Sequence, residues 1–327
     1  MSLHAVTSSV TPGPAYRALP RAPEAWVVEN LCPTGGLFNI FGSPKSGKSF
    51  LALQLAIAIS TNEPDWMTFP IRTHGAVMYL QLDTPRSLWA ARLDDIAYET
   101  GLIDSEVYFG DNEQAPYPFN ILGTPQDPVS PSWVWLREQV ATVKPALVII
   151  DTLRELHKGD ENDSAQMTTV MSSLVSATYP SALCLLSHSR KDNNSVPIAQ
   201  RSEDLMNDNR GSSYIAGRMD GIMRATSTKK VCHLTYQSRT VERHQLKCQR
   251  LPGGLWGVDT SNETALLHSV LADPTLTSVN AKAERLGQLL GRSTEACRSM
   301  LRRRIGQQTA LAQAIALESL NEPEPNF

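Results

Sequence analysis

Apolar residues along this chain fall into two patterns. Some form short, nearly continuous runs; others recur every third or fourth position over longer stretches. Leu37-Phe38-Asn39-Ile40-Phe41, Ala76 to Asp83, Ala146 to Asp151 and Ala182 to Leu186 are runs of the first kind, and Glu106–Phe109 is a shorter one. Each is strand-sized and aliphatic on both parities, which reads as a strand buried on both faces. Between them, Phe50–Ile59, residues 85–100, Pro131–Val143 and Ser164–Thr178 carry helical spacing. One stripe holds Leu88, Ala91, Leu93, Ile96 and Ala97; another holds Met167, Val170, Met171, Leu174 and Val175. Thr84-Pro85 reads as an N-cap followed by proline at the first helical position, and Gly101 as a stop. Strands alternating with helices predict an α/β fold: a mostly parallel sheet covered by helices, with ligands at the carboxyl ends of the strands.

From Asp220 the pattern changes. Asp220–Ala225, Val231–Arg239 and His244–Leu251 read as consecutive strands, with Thr228-Lys229-Lys230 as a hairpin turn and Gly253-Gly254 and Trp256 closing the run. From Glu263 to about Leu320 the chain reads as helical, in segments Glu263–Leu271, Ser278–Leu290 and Thr294–Ile305. The turn Leu290-Gly291-Arg292-Ser293-Thr294 suits a helix-turn-helix, or winged-helix-like, module. Its last helix carries Arg298, Arg302, Arg303 and Arg304 opposite Ala296, Met300, Leu301 and Ile305. Such a face suits double-stranded DNA or a replication partner, and suits equally a solvated basic surface. The expected organisation is a flexible arm over residues 1–25, rich in proline, a P-loop domain over 26–260, the helical module over 261–320, and a disordered acidic tail over 321–327.

Composition narrows the classes. The 327 residues are 41% hydrophobic and 19% charged, with a net charge of −3, so any nucleic-acid surface must be a local patch. Five cysteines without a C-x-x-C pair argue against a disulfide framework or a zinc site and for a reducing compartment. No apolar run approaches a membrane span and no signal pattern opens the chain, so a cytoplasmic protein with no membrane partner is the expectation.

The chemistry enters between the first strand and the first helix. Gly42-Ser43-Pro44-Lys45-Ser46-Gly47-Lys48-Ser49, followed by Phe50, fits G-x-x-x-x-G-K-[ST], the phosphate loop of nucleotide-binding proteins. The glycines let successive N–H groups turn toward phosphates, and the helix that follows adds positive potential at the same point. Lys48 is placed for the β- and γ-phosphates and Ser49 for Mg²⁺. Asp151, ending an aliphatic strand, is the expected second magnesium-holding carboxylate, or else an ordinary turn cap. Asp83, also at a strand end, is the candidate for orienting the attacking water, or else an N-cap.

The order and spacing of these motifs resemble the RecA/DnaB-like ATPases, specifically the branch of hexameric plasmid replicative helicases. The resemblance spans about Trp26 to Trp256. It rests on Pro33-Thr34-Gly35-Gly36, Gly42–Ser49, Val77–Asp83, Leu147–Leu153, Leu186–Lys191, Arg210–Ser213 and Gln237–Arg239. It implies ATP and Mg²⁺ as cofactors, a homo-oligomeric ring of six subunits and single-stranded DNA as partner. It also implies a water-activating role for Asp83, where the family has Glu, and a γ-phosphate-sensing role for His188, where the family has two adjacent histidines and this chain has Ser187 first. Arg239 resembles an arginine finger supplied by a neighbouring subunit, with Arg243 and Lys229 as competitors. Loops at residues 154–163 and 189–210 would face DNA, through Arg190, Lys191 and Arg210, although the second also holds Asp192, Glu203, Asp204 and Asp208 and lacks stacking aromatics. Two other functions fit the same residues: an ATP-switched DNA-binding adaptor, and a recombinase-like filament ATPase.

Overall fold

The computed structural model describes residues 13–18, 25–100, 102–123, 129–189, 205, 213–228, 230–259, 267, 270–271, 275–290 and 292–302. Among these, the expected strands assemble into one nine-stranded sheet. In chain order the strands are β1 (Leu37–Gly42), β2 (Val77–Gln81), β3 (Val107–Asp111), β4 (Leu147–Asp151), β5 (Ala182–His188), β6 (Gly221–Ser227), β7 (Val231–Ser238), β8 (His244–Arg250) and β9 (Trp256–Val258). Their order across the sheet is β9-β8-β7-β6-β1-β5-β4-β2-β3. The six strands from β6 to β3 are parallel, and β7, β8 and β9 extend the sheet antiparallel.

The aliphatic runs are explained by their two-sided burial. In β1, Phe38 and Ile40 join one core with helix α1 (Lys48–Ser60) and with Trp89 and Ile96 of α2 (Arg86–Thr100). Leu37 and Phe41 point the other way, into a second core with α3 (Pro131–Val143) and α4 (Ser164–Thr178). That is the period-two alternation of a strand, with both faces filled. The antiparallel extension is one-sided instead. Leu246 and Cys248 of β8 are buried, while the alternate residues Gln245, Lys247 and Gln249 are exposed.

Three boundaries moved. Helix α2 begins at Arg86, with the N–H groups of Leu88 and Trp89 both donating to the Pro85 carbonyl, so the proline stands at the cap rather than inside the first turn. Trp256, expected only to close the hairpins, forms β9 and pairs with Arg250. Within the stretch expected to be an arm, Gly13–Ala18 form a short helix.

The C-terminal helices have their own small core. Helix α5 (Val279–Leu290) and residues 294–302 close around Ala283, Leu286, Cys297 and Leu301, with Leu267 and Val270. The Ser293 hydroxyl accepts from the Ala296 N–H at 3.2 Å and caps the second helix. This cap turns Cys297 and Leu301, one turn apart, inward. Ala296, assigned to the apolar face from sequence, is only half-buried and lines a cleft against Asp65, Met67 and Arg72.

Candidate nucleotide site

The phosphate loop joins β1 to α1 at the carboxyl edge of the parallel strands. Its two glycines are required for different reasons. Gly47 has φ +88°, and a Cβ there would meet the Trp256 indole Nε1 at 2.4 Å. Gly42 is needed for close approach: a Cβ would lie 2.3 Å from the Ala225 carbonyl of β6 and 2.7 Å from the Ser46 hydroxyl. Ser43, Pro44 and Lys45 form the exposed outer rim, whereas Ser46 is buried and its Oγ has no hydrogen-bond partner among the described residues. An orphaned buried hydroxyl in a glycine cradle fits a site built to receive a polar ligand.

Lys48 is 6% exposed and donates through Nζ to the carbonyls of Gly42 and Ser43, each at 3.1 Å. Burial lowers its pKa, and the fields of Asp151 and Asp83 oppose that shift. Asp151 is buried at the end of β4, and burial pushes its pKa up to about 6. The charge of Asp83 pushes the same way, while hydrogen bonds from Ser49 and Tyr79 and the charge of Lys48 pull it back. Lys48, Ser49 and Asp83 therefore all lie close enough to Asp151 to act on its carboxyl. A cation next to Ser49 and Asp151 would relieve the burial penalty that raises the Asp151 pKa, so this donor set fits Mg²⁺ bound with a nucleotide.

Two residues that sequence reading passed over hold this cluster together. The Tyr79 hydroxyl donates to Asp151 Oδ2 at 3.0 Å. Gln81 Nε2 donates to the same oxygen at 3.3 Å, and Gln81 Oε1 accepts from the N–H groups of Asp83 and Thr84 at 2.9 and 3.1 Å. One amide thus ties Asp151 to the segment that presents Asp83. A signal was present: Tyr79 and Gln81 put two polar tips at alternate positions of an otherwise apolar strand. Asp83 itself is exposed, and its Oδ1 accepts from the Thr84 hydroxyl at 2.9 Å.

His188 pairs in register with Gly42, and Ser189 N–H donates to the Gly42 carbonyl at 3.2 Å. The end of β5 therefore lies beside the mouth of the loop. Behind it, the Ser187 hydroxyl donates to Asn39 Oδ1 at 3.1 Å. On the opposite flank, Gln54 exchanges two hydrogen bonds with the backbone of Trp256, at 2.8 and 2.9 Å. The Arg250 guanidinium lies over the rings of Phe50 and Trp256, at 5.8 and 5.6 Å.

Arg239 is not part of this cluster. It follows β7, whose Ser238 pairs with Gly221 at the amino end of β6. Its Nε meets Asp220 Oδ1 at 3.2 Å, and Asp220 Oδ2 accepts from the Leu37 N–H at 2.8 Å. Arg239 thus lies at the start of β1, while the phosphate loop lies at its end, on the order of 17 Å away. Its side chain is 65% exposed. Of the expected DNA contacts, Arg190, Lys191 and Arg210 lie outside the described residues, as does Lys229. Arg298 is engaged within the helical module, donating to Asn280 Oδ1 at 2.9 Å and pairing with Glu295. Arg302 is exposed.

A family model described as an AAA domain matches residues 10–194, more than half of the chain. No curated protein matches it. Among solved structures the chain is similar to one described as an ATPase domain, at 14% identity over 68% of this chain and 84% of that one, with a TM-score of 0.50. At that identity the likeness is one of fold, and it agrees with the RecA-like parallel sheet described above. No helix among the described residues is long and apolar enough to cross a membrane.

Proposed function

Because the chain belongs to the AAA domain family, a family of P-loop ATPases, we propose that it couples ATP hydrolysis to nucleic-acid binding as a replicative-helicase-like ring motor of the plasmid type. The observation that carries the reading is the convergence of Lys48, Ser49, Asp83 and Asp151 at one sheet edge, bridged by Gln81. Lys48 and the loop N–H groups would hold the phosphates, and Ser49 and Asp151 would hold Mg²⁺, which would supply positive charge beside them. Asp83 orients the attacking water and accepts its proton, and His188, beside Gly42, reports the terminal phosphate to the segment that follows β5.

Arg239 completes the site only for a neighbour. Its distance along β1 rules it out for its own phosphate loop, and its exposure suits a subunit boundary. On this reading catalysis requires assembly. Single-stranded DNA would pass the carboxyl-edge loops, and the helical module, through Arg302, would meet duplex DNA or a partner.

Lys48→Ala is expected to abolish ATP hydrolysis in a phosphate-release assay. Turnover at the wild-type rate would sink the phosphate-loop assignment. A forked-duplex strand-displacement assay then tests the motor: ATP-dependent unwinding supports it. The second reading, an ATP-switched adaptor, is favoured by Asp83, one methylene shorter than Glu and held by Thr84. It predicts nucleotide-dependent DNA binding without unwinding.

A further inference from the structure

The turn that carries Asp83 is fastened at both ends. Strand β2 stops at Gln81, yet Leu82 is still held from both sides. Its N–H donates to the Asp151 carbonyl at 2.8 Å, and its carbonyl accepts from Asn112 Nδ2. At the other end Arg86, the first residue of α2, reaches back to the end of the edge strand β3. Its Nε donates to Asp111 Oδ2 at 2.6 Å and its Nη2 to Asp111 Oδ1 at 2.7 Å, while Nη1 lies 3.0 Å from Glu113 Oε2. Asp111 Oδ1 also accepts from the N–H groups of Glu113 and Gln114, at 2.9 and 3.2 Å. Four donors thus fix one carboxylate, whose side chain is 16% exposed.

We infer that Arg86, Asp111 and Asn112 are positioning residues for Asp83: they fix the backbone from Leu82 to Arg86, and through it the place of the Asp83 carboxylate. The inference rests on the water-orienting role given to Asp83 in the proposed function. Asp83 is exposed, and its side chain is one methylene shorter than that of Glu. A short side chain has little reach with which to correct a misplaced backbone, so the turn itself must bring it to the water. An error of about 1 Å there is costly.

The place and the geometry of the Arg86–Asp111 pair both support this role. Asp111, Gln81 and Asp151 are register partners across β3, β2 and β4, so the pair lies in the layer of the sheet where the site is built. Gln81 holds the turn from the Asp151 side, through the N–H groups of Asp83 and Thr84. Arg86 and Asn112 hold it from the edge-strand side. A surface ion pair contributes little stability. This one is bidentate, which fixes orientation as well as distance, and the Arg86 guanidinium holds the Asp111 carboxyl below its ordinary range. Arg86 is turned toward Asp111 and Glu113, so its loss removes none of the groups assigned to the phosphates or the cation. Arg86 and Asp111 stand 25 positions apart, and only the pairing of β3 with β2 brings them together.

The test is a double-variant cycle in the full chain. Two quantities are read: phosphate release at saturating ATP and Mg²⁺, and affinity for a fluorescent non-hydrolysable ATP analogue. Turnover is referred to the concentration of analogue-binding sites, so an unfolded fraction drops out. Arg86→Ala is expected to lower kcat about tenfold or more, with analogue affinity within about threefold of wild type. Arg86→Lys keeps the charge but not the fork and should recover only part of that loss. Asn112→Ala, at the other end of the turn, should show the same split between kcat and affinity. In an Asp83→Asn background, Arg86→Ala should change the remaining rate by less than about twofold, because groups that act through one another do not add. An equal fold-loss in both backgrounds would show that Arg86 acts independently of Asp83, and would overturn the inference. So would wild-type kcat in both Arg86→Ala and Asn112→Ala. The proposed function stands in either case. If Asp83→Asn itself turns over at the wild-type rate, the role of Asp83 and this inference fall together, and the phosphate loop is judged separately by Lys48→Ala.

Discussion

Burial penalises the ionised form of Asp151 in the folded chain. Its carboxyl keeps a proton up to about pH 6 in the folded chain, against an ordinary value of 3.8. Between those values the folded state binds more protons than the unfolded one. Stability of the nucleotide-free protein therefore falls as pH rises through that window, and the contribution is gone above about pH 6. Asp151→Asn removes the titration while keeping the shape. It should raise the urea midpoint at pH 8 by the equivalent of at most about 3 kcal/mol, and by less at pH 5. Midpoints read at both pH values check this, and an equal gain at the two would refute it. The same variant should lose Mg²⁺-dependent nucleotide binding, a stability gain at the expense of function. For Gln81 the expectation is different. It touches Asp151 and the Asp83 segment but is placed to position them rather than to hold substrate. Gln81→Ala should leave nucleotide affinity within about threefold and lower turnover by roughly tenfold or more, because a small misplacement of the water-orienting group is costly. A rise in KM with kcat unchanged would contradict the positioning role.

At the scale of elements, β9 locks the phosphate loop from outside. Trp256 is 2% exposed, holds both hydrogen-bonding groups of Gln54 through its backbone, and sets its indole against Gly47. The loop conformation thus depends on a strand more than 200 residues further along the chain. Trp256→Ala should destabilise the fold by about 3–5 kcal/mol, the range for removing a buried aromatic. Its effect on nucleotide affinity should exceed that of a distant core truncation of similar cost, such as Leu174→Ala in α4. Paired denaturation and nucleotide-titration experiments on the two variants check this. If they lose affinity equally, β9 contributes only general stability.

For the whole molecule, the separation of Arg239 from its own phosphate loop makes assembly the decisive question. If Arg239 acts across a boundary, Arg239→Ala should bind nucleotide normally and turn over slowly. Mixing it with Lys48→Ala should restore activity that neither variant has alone, up to about a quarter of wild type for random exchange in a closed ring. That follows because an Arg239→Ala protomer still has its phosphate loop, and a Lys48→Ala neighbour still has its arginine. No recovery after verified subunit exchange would remove Arg239 from the mechanism.

The sequence by itself determined the layers of the fold and the position of the phosphate-loop motif between β1 and α1. Two-sided apolar runs admit little but a covered parallel sheet, and the spacing from Gly42 to Ser49 specifies a loop whose contacts are local. The boundaries that moved, at Pro85 and Trp256, depend on capping and pairing geometry that periodicity does not carry. Tertiary structure alone decided which distant groups meet. Gln81 ties the Asp151 carboxylate to the backbone at Asp83, Trp256 backs Gly47, and Arg239 lies at the far end of β1. Each of these contacts joins residues on different elements, and their meeting depends on sheet order and strand register, which no local pattern along the chain encodes.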